Sequence, residues 1–127
     1  HVRQVIRPAL DSGTIVLCDR YGDSTVVYQG YARGLDIRTL RDLNDIATES
    51  LHPDLTLLLD IEVEKGLERR GVDTNRLDRE PIEFHRKVRQ GFLAEASRDP
   101  HRWLTIDASQ SPEYVAKQAL DAITKHL

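Results

Sequence analysis

The chain has 127 residues, of which 39% are hydrophobic and 31% charged, and its formal net charge is −3. This composition is typical of one soluble globular domain or part of a larger one, and no apolar run is long enough to span a membrane. The acidic balance argues against a dedicated nucleic-acid binder, although local basic clusters could still bind a phosphorylated small molecule. The single cysteine, Cys18, excludes an intrachain disulfide, which fits a cytoplasmic protein.

The first element is predicted to be a helix over residues 2–10, because apolar residues recur there at helical spacing and a Gly follows as a stop. Pro8 predicts a kink in it. Residues 14–18 form a continuous, partly β-branched apolar run, which is typical of a buried strand. Cys18 is therefore expected to be a core residue rather than a nucleophile.

The pair Asp19-Arg20 follows that strand directly. Ligands of open α/β sheets bind beyond the carboxyl ends of strands. A carboxylate at this point could bind a cation, and a guanidinium could bind a phosphate. The alternative is a helix-capping Asp beside a surface Arg, and these two residues alone do not decide between the two.

A helix is predicted from about Ser24, and its polar residues would share one side. Thr25 and Gln29 are four residues apart, and Tyr21, Thr25 and Tyr28 fall on the same stripe. This segment therefore predicts a polar and aromatic wall beside the Asp-Arg pair.

The middle of the chain predicts a helix, a strand and a second helix. Asp36 can cap a helix that extends to residue 51. An apolar strand over residues 54–61 contains the acidic Asp60, and a short helix over residues 63–70 follows.

A polar stretch from about residue 70 to 80 is rich in arginine and lacks periodicity. A solvated loop of mixed charge is one reading. The other is a lid that closes over phosphates, excludes water and brings guanidinium groups to a transferring phosphoryl group. The arginines in or beside this stretch are Arg69, Arg70, Arg76 and Arg79.

The last third predicts a helix between Pro81 and Asp99, a strand over residues 103–106 that ends in Asp107, and a helix capped by Ser111. Three buried strands separated by helices predict an α/β fold, a three-layer parallel sheet with helices on both faces. Three strands make a thin sheet and the chain contains no Met, so we expect it to begin inside a longer polypeptide. No Gly-Lys-Ser or Gly-Lys-Thr phosphate loop occurs, and the five His residues show no metal-ligand spacing.

Taken together, these segments resemble the bacterial thymidylate kinases, which transfer a phosphoryl group from ATP to dTMP. The most specific motifs are Cys18-Asp19-Arg20-Tyr21, Asp23-Ser24-Thr25 and Tyr28-Gln29-Gly30. Further matches are Ile6-Arg7-Pro8-Ala9-Leu10, Pro53-Asp54-Leu55-Thr56-Leu57, Gly66-Leu67-Glu68-Arg69, Asn75-Arg76-Leu77-Asp78, Phe84-His85, Val88-Arg89 and Ile106-Asp107-Ala108.

The resemblance implies a P-loop nucleoside-monophosphate-kinase domain with a five-stranded parallel sheet. Residues 1–127 would be its C-terminal two-thirds, with three of the five strands and a lid at about residues 70–80. The phosphate loop would precede His1, so we expect the full-length protein to make dTDP from dTMP and ATP, and this chain alone to be inactive.

The resemblance also implies roles for individual residues. Arg20, Arg69, Arg70 and Arg76 would be catalytic. Substrate dTMP would be bound by Asp19, Arg20, Tyr21, Ser24, Thr25, Tyr28 and Gln29. ATP would be bound by Arg69, Arg76, Ser109 and Gln110, and Asp19 would lie beside Mg²⁺. Asn75 stands where the family often has an acid, so this chain departs from the family pattern at that position.

The family is further expected to be homodimeric, with residues 2–10 and 36–51 as candidate contact helices. Two alternatives stay open at this point. One is a kinase of another nucleoside monophosphate or of a nucleoside. The other is a non-catalytic nucleotide-binding module without a phosphate loop.

Overall fold

The computed structural model describes residues 1–70 and 80–127. Two parallel strands and the helices packed around them make up this part of the chain. The α-helices are α1 (Arg7–Asp11), α2 (Gly22–Thr25), α3 (Ile37–Thr48), α4 (Val63–Arg70), α5 (Ile82–Arg98) and α6 (Pro112–His126). The π-helical segments are π1 (Val2–Ile6) and π2 (Val26–Ala32), and the strands are β1 (Thr56–Asp60) and β2 (Trp103–Asp107).

The strands β1 and β2 pair in parallel, with Thr56 opposite Trp103 and Asp60 opposite Asp107. The helices α4 and α5 connect them, as expected for a crossover between parallel strands. The α/β class and the parallel pairing are therefore confirmed. The register also brings the two strand-ending carboxylates to the same edge of the sheet.

The predicted first strand, residues 14–18, is not formed in the described structure. A strand requires a neighbour that accepts and donates its backbone hydrogen bonds. Only the Thr14 N–H makes a backbone bond here, to Ala9 O at 2.9 Å, and it belongs to the end of α1. Ile15 and Leu17 are 58% and 81% exposed. Cys18 is exposed as well, so its assignment to the core was wrong.

The first helix is formed, with π1 preceding α1. Pro8 lies in the first turn of α1, where its missing N–H costs little. The preceding turn is π-helical, and a kink at Pro8 stays a prediction. Gly13 has φ 81° and donates to Leu10 O while Thr14 donates to Ala9 O, which is a Schellman ending.

The helix predicted from Ser24 begins two residues earlier, at Gly22, and neither Asp23 nor Ser24 caps it. From Val26 it continues as π2, which includes Gly30. A π-helix has wider turns than an α-helix. The stripe predicted from α-helical spacing therefore does not extend unchanged to Tyr28 and Gln29.

The core lies where π2 packs against α5. Val27 is fully buried there, against Phe84 and Val88. Gly91 permits the close approach, because a Cβ at that position would lie 2.8 Å from Tyr31 Cβ. The helix predicted between Pro81 and Asp99 is thus confirmed as α5, and its buried face includes Phe84, Val88 and Ala96.

Helix α3 begins as predicted, with the Asp36 carboxylate accepting from Thr39 N at 3.0 Å. It ends at Thr48, three residues before the predicted end, because Glu49 takes the left-handed conformation. Only part of its apolar stripe is covered, since Leu43 and Ile46 are 54% and 75% exposed. Within residues 1–70 and 80–127, no helix combines the length and apolar character needed to cross a bilayer.

Candidate active site

A cavity of about 230 Å³ opens at the carboxyl end of β1. Its apolar wall includes Leu58, Val88 and Phe92. Its polar and aromatic lining comes from five parts of the chain and comprises Arg20, Tyr28, Asp60, Arg70, His85 and Arg89. Among the described residues, three guanidinium groups and one carboxylate line this cavity. Such a cavity favours an anionic ligand.

Arg20 lies at the cavity with its backbone in a left-handed conformation, φ 65°. A non-Gly residue in that region costs about 1–2 kcal/mol, and such strain clusters at functional sites. Its guanidinium carbon lies 5.1 Å from the centroid of the Tyr28 ring, a cation–π contact. Cys18 Sγ donates to Arg20 O at 3.3 Å. The turn therefore sets the backbone of this arginine, and the Tyr28 ring positions its head group.

Tyr28 is held by two aromatic rings of α5. Its ring centroid lies 6.1 Å from the centroids of both Phe84 and Phe92, at interplanar angles of 49° and 78°. These are the tilted and edge-on arrangements that aromatic pairs prefer. The ring that carries Arg20 is consequently preorganised by the core.

Asp60 and Arg89 line the cavity and form a bidentate ion pair. Arg89 Nε donates to Asp60 Oδ1 at 2.8 Å, and Arg89 Nη2 donates to Asp60 Oδ2 at 3.1 Å. The bonds to Asp60 raise the pKa of Arg89, and burial opposes that rise. This pair fixes the guanidinium plane relative to the end of β1.

The other predicted dTMP-binding residues are not among those that line this cavity. Tyr21 OH donates to Leu51 O at 3.0 Å, and burial raises the pKa of Tyr21. Asp19 and Thr25 are exposed, while Ser24 and Gln29 are half-buried. The structure thus brings Arg20 and Tyr28 together, and leaves the remaining five on the same segment outside the cavity wall.

A second polar cluster, after β2, contains three of the four predicted ATP-binding residues. Arg69 donates to Ala108 O at 2.6 Å and to Ser109 O at 2.8 Å. Ser109 Oγ and Gln110 Nε2 donate to the Asp107 carboxylate at 2.6 and 3.1 Å. The hydrogen bonds from Ser109, followed by the one from Gln110, lower the pKa of Asp107. Arg69 therefore lies at this loop, while its neighbour Arg70 lines the cavity.

Arg76 and most of the predicted lid fall within residues 71–79, which lie outside the described residues. At the far side of that segment, Glu80 accepts from Arg33 Nη2 at 3.2 Å. Arg33 in turn covers the Phe84 ring, 4.8 Å from its centroid.

Three features were missed from the sequence. His85 received no role in the sequence analysis, yet it lines the cavity. The Asp60–Arg89 pair was not expected, although the position of Asp60 at a strand end was a signal for it. The third is a structural pair away from the cavity, in which Arg102 donates to both Asp23 oxygens at 3.0 Å.

Within residues 1–70 and 80–127, no group of three or more His, Cys, Asp or Glu side chains gathers in a way that could hold a metal. Asp19 by itself offers one exposed carboxylate. That is compatible with Mg²⁺, which commonly binds one or two carboxylates together with substrate phosphates and water.

Two parallel strands joined by a helical crossover, with a basic cavity at the carboxyl end of β1, fit the class that the resemblance implied: an incomplete α/β domain of the P-loop kinase type. A family model described as thymidylate kinase matches residues 1–119. The chain belongs to the thymidylate kinase family.

Individual relatives agree with that assignment. The chain is 52% identical to the thymidylate kinase of Desulfovibrio desulfuricans, over 100% of this chain and 63% of the relative. It is 54% identical to that of Thermomicrobium roseum, over 98% and 61%. The crystal structure of the thymidylate kinase from Ehrlichia chaffeensis superposes with a TM-score of 0.74 at 30% identity, covering 98% of this chain and 57% of that one. The chain thus spans less than two thirds of the length of these relatives.

Proposed function

We propose that the full-length protein is a thymidylate kinase that transfers the γ-phosphoryl group of ATP to dTMP and so forms dTDP. The observation that carries the proposal is Arg20, held in a left-handed turn and stacked on Tyr28 at a basic cavity beyond β1. The relatives named above are thymidylate kinases, which supports dTMP over other monophosphates. Activity is proposed for the full-length protein, because residues 1–127 contain no phosphate loop.

The dTMP molecule would occupy the side of the cavity formed by Arg20 and Tyr28. The guanidinium of Arg20 would bind the phosphate of dTMP, and the Tyr28 ring would lie against the sugar and disfavour a 2′-hydroxyl. Thr25, Gln29 and Ser24, on the same helix, would face the base. Tyr21 would contribute to binding without its hydroxyl, because that hydroxyl already donates a hydrogen bond to Leu51 O.

ATP would approach from the loop after β2. Ser109 and Gln110 would lie near the adenine, and Arg69 would hold that loop through its two carbonyl contacts. Arg70 would place its charge in the cavity between the two nucleotides. Arg76 would join it when the lid, proposed at about residues 70–80, closes and excludes water.

Catalysis in this arrangement needs no covalent protein intermediate. Two nucleotides held in line, with guanidinium groups around the transferring phosphoryl group, account for the chemistry by positioning and charge stabilisation. Asp19 would hold Mg²⁺, which supplies further neutralisation of the phosphate charge when it is bound with ATP.

We also propose that the protein is a cytoplasmic homodimer. The exposed apolar residues Leu43 and Ile46 on α3 and Val5 on π1 support a contact between copies through these helices. Isolated exposed apolar residues are common on monomers. Leu43 and Ile46 are three residues apart and therefore adjacent on one face of α3, and this adjacency favours an interface.

The substrate assignment is tested by ligand-induced stabilisation of the full-length protein. A ligand that binds only the folded state raises its melting temperature by mass action. We expect dTMP to give a larger increase than dUMP, dCMP, AMP or GMP at equal concentration. No increase with dTMP, together with an increase for another monophosphate, would overturn the base assignment.

A further inference from the structure

Arg20 has a strained backbone conformation that other groups must hold in place. Its φ is 65°, in the left-handed region that residues with a Cβ rarely adopt. Such a conformation persists only when the surrounding structure fixes it. The bond from Cys18 Sγ to Arg20 O lies within the turn, so it does not tie the turn to another element. The contacts that do so bear on how the Arg20 guanidinium is presented.

Two hydrogen bonds tie the residues directly after Arg20 to α3 and to the segment that follows it. Asn44 Nδ2 donates to Gly22 O at 2.7 Å, and Tyr21 OH donates to Leu51 O at 3.0 Å. Both bonds are partly buried, so water competes less for their donors and acceptors. Gly22 and Asn44 are 22 positions apart, so their bond joins α2 to α3 rather than closing a local turn.

Gly22 and Asn44 are in close contact. A Cβ at position 22 would lie 3.0 Å from Asn44 Nδ2 and 3.2 Å from Asn44 Cγ, so it would displace the amide by a few tenths of an ångström. Asn44 is half-buried on the side of α3 that faces α2, whereas Leu43 and Ile46 are exposed. The packing of the two helices therefore directs the Asn44 amide toward the start of α2.

We propose that Asn44 is a positioning residue for dTMP binding, because its bond to Gly22 O keeps the Arg20 turn in the conformation that presents the guanidinium to the phosphate. Asn44 is not among the residues that line the cavity, so it acts through Arg20. An apparent dissociation constant rises when the binding-competent conformation becomes less populated. The proposal rests on the proposed function, since it assumes that Arg20 binds dTMP.

The test measures the dissociation constant of dTMP by calorimetry on the full-length protein and on its Asn44→Ala variant. The variant should stay folded, because Arg102 still donates to both Asp23 oxygens at 3.0 Å and so keeps α2 in place. The strain at Arg20 opposes the turn, so losing one anchor should depopulate it. We expect dTMP binding to weaken by about two- to tenfold, which is the effect of one neutral hydrogen bond.

Asp36→Ala is the matched control, because it destabilises the same helix without removing a contact to the turn. The Asp36 carboxylate caps α3 and accepts from Thr39 N at 3.0 Å, and the loss of such a cap destabilises a helix. The control should lower the urea midpoint and leave the dissociation constant of dTMP unchanged. If it weakens dTMP binding as much as Asn44→Ala does, the effect is a general loss of stability and the positioning role is overturned.

A double-mutant cycle with Arg20→Met tests whether Asn44 acts through Arg20. The guanidinium is absent in the Arg20→Met background, so Asn44→Ala should change dTMP binding there by less than about twofold. Equal weakening in both backgrounds would mean that the two residues act independently, and it would overturn the proposal.

Gly22→Ala probes the same contact while Asn44 is still present. The added Cβ would displace the Asn44 amide, so dTMP binding should weaken. With Asn44→Ala in place, the nearest atom would be the Cβ at position 44, at 3.6 Å, so Gly22→Ala should then have no further effect. This variant also carries the test if Asn44→Ala does not fold, and unchanged dTMP binding would then overturn the proposal.

The positioning role and the proposed function fail in different ways. Unchanged dTMP binding in a folded Asn44→Ala protein, together with weaker binding in Arg20→Met, would overturn the positioning role alone. An unaltered protein that does not bind dTMP, or an Arg20→Met variant that binds it as tightly as the unaltered protein, would contradict the proposed function.

Discussion

Gly91 is the position where the packing of the site can be tested most simply. A Cβ added there would lie 2.8 Å from Tyr31 Cβ, 2.9 Å from Tyr31 Cγ and 3.1 Å from Val27 Cγ1. Tyr31 Cβ is fixed to the backbone, so it cannot rotate away, and the two helices must separate. We expect Gly91→Ala to destabilise the full-length protein.

The magnitude follows from two opposing effects. Overpacking a core costs about 1–3 kcal/mol, and the upper half of that range applies because the contact is with a backbone-attached atom. Replacing Gly with Ala inside a helix stabilises the helix by up to about 1 kcal/mol. The net loss is about 1–2 kcal/mol, which lowers the urea midpoint by about 0.5–1 M without changing the slope of the transition.

Gly66→Ala is the control for this experiment. Among the described residues, its added Cβ would meet Ile61 Cγ2 alone, at 3.3 Å, and that atom is a side-chain methyl. The gain in helix propensity should then leave the urea midpoint unchanged or slightly higher. A Gly91→Ala protein as stable as the unaltered one would refute the argument that π2 and α5 touch as closely as described. Since π2 carries Tyr28, weaker dTMP binding should accompany the loss of stability.

Three further changes test other parts of the structure. Glu95 is 5% exposed and accepts hydrogen bonds from Tyr31 OH, Arg41 and Arg98, so Glu95→Gln should lower the free energy of unfolding in urea by about 1–3 kcal/mol. Glu83 is exposed, so Glu83→Gln should change that free energy by less than about 0.5 kcal/mol. Equal effects of the two substitutions would contradict the buried network. The pKa of Asp107 in the folded state lies below its unfolded value of about 3.9, so its contribution to stability is complete above that pH and is lost as the pH falls further. Asp107→Asn should therefore make the free energy of unfolding less dependent on pH below about pH 4. The same pH dependence in the Asp107→Asn and Asp121→Asn variants would contradict this prediction. Ile46→Glu should convert a dimer to a monomer in sedimentation experiments while Ile82→Glu leaves it intact, and a persisting dimer would exclude this face of α3.

The elements that could be predicted from the sequence are those with local causes. The Asp36 and Ser111 caps are confirmed, because a side chain three residues from its N–H partner needs no distant neighbour. The strands β1 and β2 are confirmed because each continuous apolar run pairs with the other within the described chain.

The misses have non-local causes. Residues 14–18 carry the same apolar signal, yet a strand depends on a partner that pattern alone does not reveal, and none of the described residues pairs with them. The π-helical turns of π2 shift the faces of Tyr28 and Gln29, and periodicity assumed an α-helix. Cys18 was placed in the core on the strength of that unpaired strand.

The site was predicted in part for similar reasons. Arg20 and Tyr28 could be found because they lie in one short segment. Loop contacts that join α4 to the turn after β2 bring Arg69, Ser109 and Gln110 together, and their assignment to ATP stays a prediction. The roles of Asp60, His85 and Arg89 depend on how α5 packs against β1, which no single stretch of sequence encodes.

The central claim is that Arg20 serves phosphoryl transfer to dTMP. The most direct measurement is the rate of dTDP formation from ATP and dTMP by the purified full-length protein and by its Arg20→Met variant. We expect turnover by the unaltered protein and a loss of at least about a hundredfold in the variant, since removing one such charged contact typically costs that much. A folded full-length protein that forms no dTDP, or an Arg20→Met variant that turns over at the unaltered rate, would contradict the account.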